Sequence, residues 1–299
     1  MSIKNHTEQY PFLRRFSKSI SIPEEDLVEA FEIEKKFHKL IFVEKNKKRR
    51  IELYNELYST VHPIYQRGSL KKQDPSKLKS RKALLFKKEL KNKSILEVGC
   101  GQGVFIMNCS KFKNIKELCG IDVSLPSEDI IKQYPKIKFI NADITEFKVH
   151  KKYEVVYSNH VLEHMATADL HTHLASLNEA LIEGGTLIIN MPNRLFGPSD
   201  VTRIIDYTYT GKTKAIGSHF NESTYNELTS LLKEYGFENF KTVFPHTILR
   251  HIFPFFRMPA SILCKIEKSK FFMKMLHSIK YNGRCIAKLE LSIICNKKH

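Results

Sequence analysis

Three groups of residues in this sequence have types and spacings suited to chemistry. The first is Glu97-Val98-Gly99-Cys100-Gly101-Gln102-Gly103, which follows Ser94-Ile95-Leu96, the start of an apolar run that predicts a buried strand. Glycine has no Cβ, so a turn with glycine at every second position can adopt positive φ and let a ligand approach the backbone. A dinucleotide fingerprint spaces its glycines as G-x-G-x-x-G and aims a helix N-terminus at a pyrophosphate. Here an acid precedes the first glycine, a poor neighbour for a pyrophosphate and a good one for an ammonium group. The second is Asp122, about twenty residues past the turn, where an open α/β sheet places an acid that accepts from both hydroxyls of a ribose. The third is His160-Val161-Leu162-Glu163-His164, with His219 arriving from further along the chain. If this stretch is helical, offsets of three and four put His160, Glu163 and His164 on one face.

The elements that must position these groups alternate strand and helix. Val104 to Phe112 suits a helix, Ile115 to Ile121 a second strand, and Ile137 to Ile140 a third, followed by Asn141-Ala142-Asp143-Ile144. Tyr153 to Tyr157 predicts a fourth strand with Ser158-Asn159-His160 at its mouth. Val161 to Glu183 reads as one helix, broken by Gly184-Gly185, before a fifth strand, Thr186 to Asn190. Arg194 to Gly217 has no period and is a candidate lid or substrate loop. Asn221 to Tyr235 suits a helix, Phe240 to Phe244 a sixth strand, and Lys288 to Cys295 a final strand, after an aromatic and basic detour over 245–281. That detour reads first as a helix packed on the sheet with a solvated basic side, and otherwise as a basic amphipathic helix on an anionic membrane.

Upstream, Glu24 to Tyr58 carries apolar residues at helical spacing, with Ser21 as a candidate N-cap and His62-Pro63 as the expected end of the helical region. The basic run Lys45 to Arg50 is expected to be a solvated helix face or loop, with a contact surface for phosphates or anionic lipid as the alternative. Residues 1–22 are expected to be loosely attached and Arg67 to Ser80 to be a polar linker. The chain thus divides into a helical cap and linker over 1–92 and an α/β domain over 93–299 with insertions at 194–217 and 245–281.

A length of 299 residues can bury a full core. A net charge of +17 favours acidic partners: nucleic acid, anionic membrane or phosphorylated substrates. The six cysteines form no C-x-x-C pair, Met1 to Arg15 lacks the apolar core of a signal peptide, and no apolar run is long enough to span a bilayer. The expected location is the cytoplasm, with peripheral contact at a membrane as an option.

The acid-glycine turn, Asp122, Asp143-Ile144 and Leu181-Ile182-Glu183-Gly184-Gly185-Thr186-Leu187 together resemble, in order and spacing, the class I S-adenosylmethionine-dependent methyltransferases. The likeness is nearest to the small-molecule enzymes related to the ubiquinone-pathway O-methyltransferases. It implies a Rossmann-like seven-stranded sheet with an antiparallel edge strand. It further implies S-adenosylmethionine held by Glu97, Gly99, Gly101, Gly103, Asp122, Asp143, Ile144 and Asn159. Asp143 and the Ile144 amide would face the adenine. Some relatives place a Glu-x-x-Glu-His metal set after the fourth strand, and here His160 replaces the first Glu. Three roles therefore stay open: His164 or His219 as general base, His160, Glu163, His164 and His219 as ligands of a divalent metal, or Glu163 and His164 as structural groups. The expected acceptor is a hydroxyl of a sugar, glycan or lipid-like molecule. The other readings are a non-catalytic, cofactor-binding scaffold at a membrane and an RNA methyltransferase, the latter without an appended RNA-binding module.

Overall fold

A run of parallel strands needs a crossover element between each pair, and the alternating pattern supplies them. In the computed structural model, which describes residues 9–68 and 74–299, helices α1 (Leu13–Ile20), α2 (Glu24–Val43) and α3 (Lys47–Gly68) precede two short ones, α4 (Arg81–Leu85) and α5 (Lys87–Leu90). Then come β1 (Ser94–Val98), α6 (Val104–Cys109), β2 (Glu117–Asp122), α7 (Glu128–Gln133), β3 (Ile137–Asn141) and β4 (Tyr153–Asn159). After them follow α8 (Thr167–Glu179), β5 (Leu181–Met191), α9 (Tyr225–Glu234) and β6 (Phe237–Thr242). The chain ends with α10 (Thr247–Ile252), β7 (Met258–Pro259), α11 (Ala260–Lys268), α12 (Lys270–Ser278), β8 (Lys280–Tyr281), β9 (Arg284–Cys285) and β10 (Leu291–Lys297).

The main sheet runs β3-β2-β1-β4-β5-β10-β6-β7, parallel from β3 to β5, with β10 antiparallel to both its neighbours, so the final strand is enclosed between β5 and β6 and not at the edge as expected. It has eight strands rather than the expected seven. The extra one is the two-residue β7, which pairs only with the end of β6 and closes the edge. The order reverses between β1 and β4, which opens a crevice beyond the strand ends. Side chains alternate across each strand, so Leu96 and Val98 pack into one apolar cluster and Ile95 into the other.

Several expectations change at the element level. The helix expected over Val161–Glu183 is three pieces: a 3-10 turn at Leu162–His164, α8, and a β5 that begins at Leu181. Met165 is extended and Ala166 likewise, so the helix cannot start before Thr167. The spacing of His160, Glu163 and His164 is therefore that of a tight turn, not of a helix face. Pro63 lies inside α3, which continues to Gly68, with Ile64 buried just beyond it. Ser21 is the left-handed C-cap of α1, and Pro23 stands at the N-cap of α2 without a side-chain bond. Residues 1–8 lie outside the described residues, but Tyr10, Leu13 and Phe16 are buried, so the segment around α1 is anchored. Within the predicted linker, residues 69–73 lie outside the described residues, whereas Arg67 and Gly68 end α3. Strand β6 starts earlier than expected and β10 later.

The basic run Lys45–Arg50 is not simply a solvated face. Arg50 is 4 % exposed and forms a bidentate pair with buried Asp169, Nε to Oδ2 at 2.9 Å and Nη2 to Oδ1 at 2.6 Å. The Tyr54 hydroxyl donates to the same carboxylate and accepts the Ala166 amide at 2.6 Å. Helix α3 is thereby fixed to the first turn of α8, directly below the histidine turn.

Candidate functional site

The glycine turn is built by opposed steric demands. Gly99, Gly101 and Gly103 have φ of 74°, 48° and 73°. A Cβ at Gly99 would run into Val161, and one at Gly103 would crowd Phe139 at 3.1 Å. At Gly101 it would meet nothing within 4 Å, so the turn presents open space there. Glu97 lies buried behind the turn, accepting from the Ile106 amide at 3.1 Å, and burial raises its carboxyl well above the usual range. Asp122 accepts from the Gly101 amide at 2.7 Å and from Ser124 N at 2.9 Å, which locks the ends of β1 and β2 together. Asp143 uses one oxygen, Oδ1, for the amide and hydroxyl of Thr145, and the Ile144 carbonyl bonds to His173 Nδ1. Glu97, the three glycines, Asp122, Asp143 and Ile144 thus lie at or just beyond the ends of β1, β2 and β3, with Asn159 at the end of β4.

The second half of the site lies over the ends of β4 and β5. His160 has φ of 55°, an uncommon left-handed conformation for a non-glycine residue, and its amide bonds to the Asn190 carbonyl. Its Nδ1 meets Glu163 Oε1 at 2.7 Å. The other oxygen of the fully buried Glu163 has no hydrogen-bond partner. The His164 and His219 rings meet edge to face with centroids 4.7 Å apart. His164 Nδ1 lies 3.1 Å from the Ser218 carbonyl, so it must be the protonated nitrogen, leaving Nε2 as an acceptor. Burial, then the neighbouring His219 charge, pushes His164 down to about 4. His219 goes the other way. Burial opposes its charge, but Glu222 at 2.7 Å, Asp200 and Glu163 outweigh it and hold the imidazole up to about 9. One neutral and one cationic histidine therefore stand side by side at neutral pH.

The polypeptide around His219 is tightly held. Asp200 Oδ2 accepts from the Gly217 and His219 amides, and Glu34 of α2 accepts from Ser218 N at 2.7 Å. The Tyr65 hydroxyl of α3 donates to Glu34, and His38 Nδ1 lies 2.8 Å from the Gly217 carbonyl. Burial, reinforced by Asp200, raises Glu34 to about 7. Helices α2 and α3 thus grip the end of the 194–217 insertion and aim His219.

Ligand atoms of Glu163, His164 and His219 fall within 4.8 Å of one another, while His160 sits off that cluster against Glu163 Oε1. Three of the four expected ligands thus converge, but the positive charge that Glu222 and Asp200 favour on His219 disfavours a divalent cation there, because a ligating imidazole must first give up that proton.

The histidine pair lines a cavity of about 500 Å³ with His160, Asn190, Phe196 and Leu291. Lys82, Arg203, Arg250 and Lys288 also face it. Lys82 Nζ donates to Asn159 Oδ1, and burial lowers its ammonium to about 8. Arg203 lies over the Tyr209 ring at 4.3 Å, with its Nη1 buried and without a hydrogen-bond partner. Glu290 bonds to Arg250 and Lys288. Sequence reasoning missed Glu222, Asp200, Lys82 and Arg203. Only Glu222 left a signal: His219 and Glu222 repeat the H-x-x-E spacing of His160 and Glu163. Lys82 and Arg203 reach the cavity, and Asp200 the loop before His219, from helices and loops whose approach no local pattern records.

A family model described as a methyltransferase domain matches residues 70–242, more than half of the chain and all four motif regions. The chain belongs to the methyltransferase-domain family. It is a class I S-adenosylmethionine-dependent methyltransferase in fold and kind. Its sequence matches no curated protein. Among solved structures, a Burkholderia thailandensis 1,6-didemethyltoxoflavin-N1-methyltransferase is similar over 86 % of this chain and 92 % of its own, at 14 % identity and a TM-score of 0.51. An Archaeoglobus fulgidus S-adenosylmethionine-dependent methyltransferase is similar over 73 % of this chain and 95 % of its own, at 19 % identity and a TM-score of 0.45. A Bacillus halodurans putative methyltransferase covers 73 % and 98 %, at 15 % identity and a TM-score of 0.43. Likeness at these identities concerns the fold. Among the described residues, no helix is long and apolar enough to cross a membrane.

Proposed function

We propose that this methyltransferase acts on a hydroxyl of a sugar, glycan or lipid-like acceptor held in the 500 Å³ cavity. The observation that carries the reading is the histidine pair on that cavity's wall, one neutral with a free Nε2 and one cationic. S-adenosylmethionine supplies an electrophilic methyl group on a sulfonium, a good leaving group. The crevice residues fit it: Gly101 offers the open backbone, Asp122 the second lone pair of each oxygen that already holds an amide, and Asp143 the Oδ2 that Thr145 leaves unused. Glu97, Gly99, Gly103, Ile144 and Asn159 complete the proposed binding set. The Burkholderia neighbour holds S-adenosylhomocysteine in the same fold, which supports the reading.

His164 is the proposed general base. As the acceptor oxygen takes the methyl group its proton becomes strongly acidic, so a weak base that remains neutral is sufficient. The Ser218 carbonyl fixes its tautomer and aims the lone pair. His219, with Glu222 behind it, supplies positive charge, as do Lys82, Arg203 and Lys288 around the cavity. That charge suits an acceptor bearing phosphate or carboxylate near its hydroxyl. Residues 1–92 serve as a cap on the catalytic region 93–299, acting through the Glu34 and Arg50 contacts.

Calorimetry with S-adenosylmethionine tests the cofactor site first. Wild type is expected to bind in the micromolar range, unaffected by a chelator, and Asp122→Ala to weaken binding by roughly a hundredfold, the loss of charge-assisted bonds to a diol. Wild-type binding that disappears with the chelator would restore a metal. No wild-type binding would sink the enzymatic reading and the cofactor-binding scaffold alike.

A further inference from the structure

Among the described residues, twelve of the nineteen large apolar side chains left exposed lie between Leu249 and Ile286. They form two stretches. Ile252, Phe253, Phe255 and Phe256 lie on and just after α10, exposed by 44 to 60 %. Phe271, Phe272 and Met275 share one side of α12, Met275 at offsets of four and three from the pair, with Ile279 exposed at its C-cap and Phe271 73 % exposed. The charges among them are of one sign. Lys265, Lys268, Lys270, Lys274, Lys280 and Arg284 are all exposed. The only acid between 249 and 286, Glu267, turns inward to Asn193 and the amides of Tyr225 and Asn226.

Both stretches flank the acceptor cavity. Arg250 of α10 lines it and also lines an apolar trough formed with Leu84, Leu85 and Pro254. On the other side His277 of α12 bonds to the Leu195 carbonyl at 2.8 Å and meets Phe196, a cavity wall, edge-on at 5.0 Å.

We propose that the segment from α10 to β9 docks the protein on an anionic lipid bilayer, with the cavity mouth turned to the membrane and its acceptor presented by a lipid. Charge complementarity selects this occupant. Lysines flanking aromatic and aliphatic side chains let the apolar groups enter the acyl boundary while the ammonium groups meet anionic headgroups. A second copy of the chain would set six cations against six. A single-stranded nucleic acid would use aromatic faces, but has no use for exposed Ile252, Met275 and Ile279. The lipid-borne acceptor rests on the function proposed above; docking does not.

Flotation of the full chain with phosphatidylcholine vesicles, with or without about a third phosphatidylglycerol, tests this. The protein is expected to float only with the anionic vesicles and to be released as salt rises from about 0.1 to about 0.5 M. Phe271→Ser with Phe272→Ser, and Lys270→Glu with Lys274→Glu, should each weaken partitioning by roughly tenfold or more, with unchanged S-adenosylmethionine affinity. Absence from both vesicle types overturns the proposal, as does equal floating of wild type and variants. Retention of a purified RNA without vesicle binding, or a dimer in solution that the Phe pair abolishes, overturns it too. Cofactor calorimetry on the same preparations separates the two readings, since vesicle binding without cofactor binding would sink the enzyme and leave the docking.

Discussion

At the scale of residues, the site rests on environments that drive two similar side chains apart. Paired titratable groups with divergent environments mark acid and base roles. His164 is neutral above about 4, and His219 is charged below about 9. If the reaction needs the first neutral and the second charged, kcat/KM rises with pH through about 4 and falls through about 9. Glu222→Gln removes a carboxylate that raises His219, so the alkaline limb should move to lower pH while S-adenosylmethionine affinity stays unchanged. A pH profile of methyl transfer, with an acceptor found by screening, checks both variants of the enzyme. A profile still rising at pH values above the His219 limb would instead make neutral His219 the base. His164→Ala should lower kcat on the order of a hundredfold to ten-thousandfold without loss of cofactor binding.

Elements fix these residues through a few buried polar contacts. Arg50 and Asp169 are both almost wholly enclosed, so Arg50→Ala leaves a buried carboxylate unpaired, at a cost of about 3–5 kcal/mol. Urea denaturation should show that loss as a lower midpoint with little change in slope. The double variant Arg50→Met, Asp169→Leu should recover much of it, because both charges leave together. Gly217 makes a second such joint. A Cβ there would lie 2.6 Å from both Asp200 Oδ2 and Glu34 Oε2, so Gly217→Ala must displace Ser218 and its carbonyl, the partner of His164. Such overpacking costs about 1–3 kcal/mol, and activity should fall further than stability alone accounts for. Thermal melts and initial rates measured on the same sample give that comparison.

For the molecule as a whole, the cap is continuous with the catalytic core. One apolar cluster runs from Tyr10, Leu27, Phe31 and Ile64 through Leu96 and Val98 to Leu232 and Ile293. Breaking it in two would expose apolar surface on both sides, so the chain is expected to unfold in a single transition. Near- and far-ultraviolet circular dichroism should melt together; two separated transitions would show an independent cap. The positive charge is likewise a property of the whole: it is dense between Lys77 and Lys93 as well as along the α10 to β9 segment, and four lysine and arginine side chains face the cavity.

What the sequence by itself determined was local and periodic. Glycine spacing, the acids at or just past the ends of the first three strands and alternating apolar runs depend on neighbours along the chain, so the glycine turn, the positions of Asp122 and Asp143 and the succession of strands were all legible. The helix expected from Val161 failed because the apolar pattern of Val161, Leu162 and Met165 fits a buried turn as well as a helix, and only packing under β4 and β5 distinguishes them. Tertiary structure alone decided that Arg50 of a basic run is buried, that Glu34 and Asp200 converge on one loop, and that Glu222 charges His219 while His164 stays neutral. Those outcomes depend on desolvation and on distances between groups far apart in the chain, and neither quantity is written in residue order.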